Sequence, residues 1–147
     1  MTVDNEQGRA TGWLPGELSE QGRIQARQLG RRRTGDHITA VFSSDLVRAA
    51  QTALVAFGRS ANPVLHDWRL RQCDYGQRNG MPAAELHASR REYLPGRGKL
   101  AAGHNPASAA SSAICHCWDG QRVLVIGHVA TRWGLDHFLG GIRWKTS

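Results

Sequence analysis

A chain of 147 residues is about one domain's length, enough to bury a real core. Its 40% apolar and 21% charged composition, with no run of about 18 apolar residues, excludes a membrane-spanning helix and wholesale disorder. A formal net charge of +7 and a pI near 10.3 favour an anionic partner: a phosphorylated small molecule, nucleic acid or an acidic surface.

The first dozen residues carry turn formers and no periodicity, so a loop is predicted there. Ser19 offers an N-cap with Glu20 in the first turn, and Ile24, Ala26 and Leu29 give a weak apolar stripe on a helix running to about Arg33. The basic run Arg31-Arg32-Arg33 falls at its end, where cations suit the macrodipole. A solvated helix end explains that run, with a nucleic-acid patch as the alternative. Thr34-Gly35-Asp36 breaks the helix. Ile38 to Phe42 reads as a buried strand. Ser43-Ser44-Asp45 then opens the clearest helix, with Leu46, Ala49, Ala50, Ala53, Leu54 and Phe57 at the spacing of one apolar face. Gly58 is a stop signal. Val64 and Leu65 suit a short strand, and Met81 to Tyr93 a helix with proline near its start. Arg122 to Ile126 reads as a second buried strand, followed by a helix from about Thr131 to Leu139. Helices alternating with short apolar strands predict α/β architecture with a mostly parallel sheet. Residues 96–117, rich in Gly, Ala and Ser, show no sustained period and fit no element.

The start, Met-Thr-Val-Asp-Asn-Glu-Gln, has neither the basic lead nor the apolar core of a signal peptide. Three cysteines make a poor disulfide framework, so a reducing, cytoplasmic setting is expected. Cys115-His116-Cys117 is too closely spaced for a zinc site, and Cys73 is the only other thiol.

Two loops have the geometry of phosphate sites, because ligands of parallel sheets bind beyond the carboxyl ends of strands, where the next helix presents its amides. In one, the strand Ile38–Phe42 leads into Ser43-Ser44-Asp45-Leu46-Val47-Arg48, and Arg48 can clamp a phosphoryl group with a bidentate guanidinium. In the other, the strand ending at Ile126 leads into Gly127-His128. From geometry alone each residue is either a phosphate ligand or an ordinary structural Arg or His.

Five segments occur in one order: Thr2-x-x-Asn5-x-x-x-Arg9-x-Thr11-Gly12-Trp13; Leu18-Ser19-Glu20-x-Gly22 with Gln25-Ala26; Phe42-Ser43-Ser44-Asp45-Leu46-x-Arg48-Ala49-x-Gln51-Thr52-Ala53; Asp67-x-Arg69-Leu70-Arg71-x-x-x-Tyr75-Gly76; and Val123 to His128. Together they resemble the histidine phosphatase superfamily, which includes the cofactor-dependent phosphoglycerate mutases and many small phosphomonoesterases. The resemblance covers residues 2–95 and about 118–142. It implies attack on phosphorus by a histidine of an N-terminal Arg-His-Gly motif, giving a phosphohistidine that water or a hydroxyl resolves. It further implies that Arg48 and His128 are catalytic, stabilising the phosphoryl oxygens. Asn5, Thr11, Gly12, Tyr75, Arg90 and Arg91 are the expected phosphate- and substrate-binding residues. Neither metal nor other cofactor is implied.

Three departures accompany the resemblance. The family places Arg-His-Gly-Glu before its Thr-x-x-Asn, so the attacking histidine and first strand are expected upstream of Met1; His37, His66, His87 and His104 match no motif. Gln72 stands at the position of the family's acid glutamate, and an amide cannot donate a proton at neutral pH. Finally, a one-base slip across residues 95–106 can yield Pro-Gly-Gly-Glu-Ser-Trp, common in the family there. Residues 96–117 and 143–147 are therefore expected to be out of frame.

The reading is thus a single α/β domain over residues 1–147, helices on both faces of the sheet, incomplete at its start. Its expected chemistry is phosphoryl transfer, chiefly phosphomonoester hydrolysis, impaired in the chain as written. The alternatives are a mutase-type isomerase and a non-catalytic phosphate-binding remnant. The expected partner is a small phosphorylated metabolite, not nucleic acid or a membrane.

Overall fold

The structure, a computed structural model, describes residues 1–88 and 106–140. Three parallel strands form the sheet: β1 (Ala40–Ser43) in the middle, β2 (Val64–His66) on one side and β3 (Val123–Ile126) on the other. Strand residues alternate between the two faces, and each face carries its own core. Ala40 and Phe42 of β1, with Val123 and Val125 of β3, pack against Leu70, Ala110, Ile114 and Trp118. Val41, Leu124 and Ile126 point the other way, onto Leu29, Ala53 and Phe57. Helices therefore cover both faces of a parallel sheet, as the apolar strand patterns predict.

The helices follow local chemistry. In α2 (Glu20–Arg32), Ser19 Oγ accepts from the Gly22 N–H at 3.1 Å, and Arg31 and Arg32 occupy the last turn. Helix α3 (Val47–Phe57) buries Ala49, Ala53 and Phe57, one residue per turn. It lies close enough to α2 that a Cβ on Gly30 would come within 2.2 Å of the Ala56 carbonyl oxygen. Only Gly127 and His128 separate the end of β3 from helix α6 (Val129–Gly140).

Strand ends and the start of α6 shift by one or two residues from the sequence expectation, and four elements differ more. The opening residues contain one helical turn, α1 (Val3–Glu6), because Thr2 and Asn5 form a reciprocal capping box. Helix α3 starts at Val47 with Leu46 as an N-cap lacking a side-chain bond, since Ser43 and Ser44 are held in β1 and the turn after it. Helix α4 spans Ala83–Ala88; residues 89–93 of the expected helix lie outside the described residues. Pro106–Cys117, expected to be irregular, forms α5. Ala110, Ile114 and Trp118 recur every fourth residue and face the sheet; the small residues between them hid that period. Cys115, His116 and Cys117 lie on this helix's last turn, with both cysteines exposed and free. Residues 96–105 and 143–147 of the out-of-frame expectation lie outside the described residues. Among the described residues no helix is long and apolar enough to cross a membrane.

Candidate functional site

The ends of β1 and β3 are tied together, the Ser44 N–H donating to the Ile126 carbonyl at 3.0 Å. The loops after both strands therefore open at the same end of the sheet. From the first loop, α3 carries Arg48 in its first turn. Its guanidinium reaches the segment 12–14: Nη2 donates to the Gly12 carbonyl at 2.7 Å and Nη1 to the Leu14 carbonyl at 3.4 Å. Burial lowers the Arg48 pKa, opposed by Asp4 and Tyr75, yet guanidinium remains protonated in any protein.

His128 ends the second loop. Its backbone N–H donates to Thr131 Oγ1 at 3.0 Å, and Thr131 Oγ1 donates in turn to the Leu70 carbonyl at 2.8 Å. That chain fixes the turn, and Gly127 is needed in it, because a Cβ there would lie 2.3 Å from Thr131 Oγ1. The His128 Nε2 is buried without a hydrogen-bond partner among the described residues. Burial first, and the Arg48 charge second, push the imidazole pKa down to about 4, while Asp45 pulls the other way. Arg48 and His128 thus act on one another across the mouth of the sheet: a desolvated permanent cation beside a neutral imidazole.

That depressed pKa has a consequence for stability. The unfolded chain takes up the His128 proton near pH 6.5 and the folded chain only near 4, so this contribution is complete above the unfolded value and is lost as pH falls toward 4. Melting temperatures on either side of that window should fall with acid in the wild type and fall less in His128→Asn. An equal acid response in both proteins would place the titrating group elsewhere.

Gln72 joins the start of α6 to Tyr75 and Trp13. Its Oε1 accepts from the Ala130 N–H in the first turn of α6 at 3.2 Å, its Nε2 donates to the Tyr75 hydroxyl at 3.1 Å, and its carbonyl accepts from the Trp13 indole N–H at 2.6 Å. Both ends of the side chain are therefore engaged in holding α6 and Tyr75. Gly12 adopts φ +56°, and a Cβ there would collide with Asn79 and Tyr75. Arg71 grips both oxygens of Asp45 at 2.7 and 2.5 Å and stacks over the Trp13 ring, which holds the Asp45 carboxyl below its ordinary pKa.

Of the residues expected at the site, Arg48, His128, Gln72, Gly12 and Tyr75 converge. Thr11 is buried beside Gly12. Asn5 is exposed, and its Oδ1 accepts from the Thr2 N–H as the α1 cap. Arg90 and Arg91 lie outside the described residues. Sequence reading overlooked Thr131, Asn79 and the Asp45–Arg71 pair. A threonine three residues beyond His128 is a capping signal, and Asn79-Gly80 is a turn signal; the ion pair joins residues too distant in sequence to be paired by inspection. A groove of about 350 Å³ beside Asp45 is lined chiefly by Val47, Ala50, Leu54 and Val64 and does not include Arg48 or His128. Among the described residues, no three His, Cys, Asp or Glu side chains gather as a metal site.

The chain as a whole is similar to known proteins. The family model described as "Histidine phosphatase superfamily (branch 1)" matches residues 1–145. A 2,3-bisphosphoglycerate-dependent phosphoglycerate mutase of Methylobacterium radiotolerans is 35% identical over 138 residues, covering 80% of this chain and 65% of that protein. The chain spans less than two thirds of the length of the mutases it matches. Bacillus stearothermophilus YhfR superposes with a TM-score of 0.78 at 26% identity, covering 95% of this chain and 79% of that one. A phosphoserine phosphatase from Entamoeba histolytica, solved with 3-phosphoglyceric acid, gives a TM-score of 0.78 at 19% identity, covering 97% and 76% of the two chains.

Proposed function

The chain belongs to the histidine phosphatase superfamily, branch 1, and on that premise we propose that its Arg48–His128 pocket receives the phosphoryl group of a small phosphorylated metabolite. The observation that carries the reading is the pairing of a desolvated Arg48 with a buried His128 Nε2 that has no hydrogen-bond partner among the described residues. A buried polar atom left unpaired is disfavoured unless something else satisfies it. A phosphoryl oxygen placed there would meet the guanidinium as a charge-assisted donor and the imidazole as a neutral one, both preorganised by the backbone bonds described above.

Phosphomonoester hydrolysis is the favoured chemistry, from the wording Phe42-Ser43-Ser44-Asp45-Leu46-x-Arg48-Ala49-x-Gln51-Thr52-Ala53. A mutase-type isomerisation is the second reading, favoured by the 35% identity to a named mutase. Both need a nucleophilic histidine and an acid for the leaving oxygen. The Gln72 amide, at the position where the resemblance expects the acid, is engaged on both sides and carries no dissociable proton. We therefore propose that this polypeptide binds phosphate without turning it over.

The test is a titration of the 147-residue protein with inorganic phosphate, followed by 31P NMR, beside a hydrolysis assay on an aryl phosphate. Saturable binding is expected with Kd of about 1 mM or tighter, a free energy near −4 kcal/mol, and no hydrolysis above that of His128→Ala. Hydrolysis that disappears in His128→Ala would overturn the impaired reading. Failure to saturate would overturn the pocket itself.

A further inference from the structure

The Arg48 guanidinium is aimed by backbone carbonyls, so whatever holds that backbone sets where the positive charge points. The carbonyls belong to Gly12 and Leu14, in an exposed loop whose middle residue, Trp13, is 41% exposed. A loop of this kind does not hold a charge to a few tenths of an ångström by itself. Its anchors are specific. Asn79 Oδ1 accepts from the Trp13 N–H at 3.3 Å and from the Tyr75 N–H at 3.1 Å, so one side-chain oxygen joins the segment beneath Arg48 to the segment carrying Tyr75. Asn79 Nδ2 donates to Asp74 Oδ1 at 2.7 Å, and that oxygen also accepts from the Gly76 N–H at 2.9 Å. Two amide donors on one end and a carboxylate on the other leave the orientation of the Asn79 amide unambiguous. The contact is also close: a Cβ on Gly12 would come within 1.8 Å of Asn79 Oδ1.

We propose that Asn79 is a positioning residue which, through its bonds to Trp13 and Tyr75, fixes the loop that aims Arg48 at the phosphoryl site. Asn79 acts on Arg48 through the loop that carries the Gly12 and Leu14 carbonyls. The inference rests on the proposed phosphate pocket, and its test separates the two. Among the described residues, Arg48 in the first turn of α3 and Asp45 just before that helix are the charged groups acting on His128, so the imidazole reports where the Arg48 charge sits even with no anion bound.

The experiment follows the His128 ring protons by NMR against pH in the ligand-free protein, and inorganic phosphate binding by 31P titration. It compares wild type, Asn79→Ala and Asp74→Asn. In Asn79→Ala the Arg48 charge is released, so the His128 titration moves upward and phosphate binding weakens about fivefold or more. Asp74 is exposed, so Asp74→Asn loosens the Asn79 amide with little risk to folding. It should move both readouts the same way by less, and it serves where Asn79→Ala does not fold. An unchanged His128 titration in both folded variants overturns the positioning role, whether or not phosphate binds. A shifted titration in a protein whose wild type never binds phosphate keeps the positioning role and removes the pocket.

Discussion

Arg48→Lys is expected to weaken inorganic phosphate binding by about tenfold or more, and Arg48→Ala by up to about a hundredfold. Hydrogen bonds from a charged group contribute about 1.5–3 kcal/mol, and each 1.4 kcal/mol is a factor of ten in affinity. Two N–H groups of the guanidinium are committed to the Gly12 and Leu14 carbonyls, which leaves three of five for an anion. A lysine ammonium has three donors in all and no planar fork. Satisfying the same two carbonyls would leave one donor for the anion, and leaving them would free the ammonium from the loop that aims it. Lysine therefore keeps the charge and loses the geometry. The measurement is the phosphate titration on both variants, with melting temperatures as the control for folding. Affinity in Arg48→Lys within twofold of wild type would mean that charge alone holds the anion and that the fork is irrelevant.

Much of this site was legible in the sequence because its key residues are fixed by local rules. A strand that is followed at once by Ser44-Asp45 or by Gly127-His128 and then by a helix sets the position of Arg48 and His128 within a few residues of regular structure. Gly12 could be named for the same reason, being part of one contiguous motif. What stayed hidden was the cross-chain bonding that gives those residues their state. Nothing local in Asn79 says that its oxygen joins Trp13 to Tyr75 across 66 and 4 residues of sequence. Nor does Gln72, read as a failed acid, announce that its amide pins the first turn of α6. In the fold, the strands were legible since short apolar runs such as Val123 to Ile126 in a parallel sheet leave little choice. Helix α5 was not, because alanine and serine contribute helix propensity without marking a face, and its anchors Ala110 and Ile114 stand out only once the sheet they cover is known.

Leu70→Ala is expected to be among the most damaging single substitutions in the described chain, lowering stability by about 2–5 kcal/mol, the usual range for a buried leucine cut to alanine. Leu70 is 0% exposed and packs with Ala40, Phe42, Ala110 and Ile114. It sits at the end of a short 3-10 turn over Trp68–Leu70 that Asp67 caps through the Arg69 N–H, and its own carbonyl receives the Thr131 hydroxyl that sets the His128 turn. Because backbone on one side and strand on the other hold its surroundings, the cavity can collapse only in part, which places the loss toward the upper half of that range. For a domain of this size each kcal/mol lowers the melting temperature by about 2–4 °C, so a fall on the order of 10 °C is expected by calorimetry. The partner across the cavity is Ile114 of α5, and residues in contact do not add. A double-mutant cycle of Leu70→Ala with Ile114→Ala should therefore show a coupling of about 0.5 kcal/mol or more. Strict additivity, with Ile114→Ala alone nearly neutral, would mean that α5 does not close the sheet at this point, and the core on that face would have to be rebuilt without it.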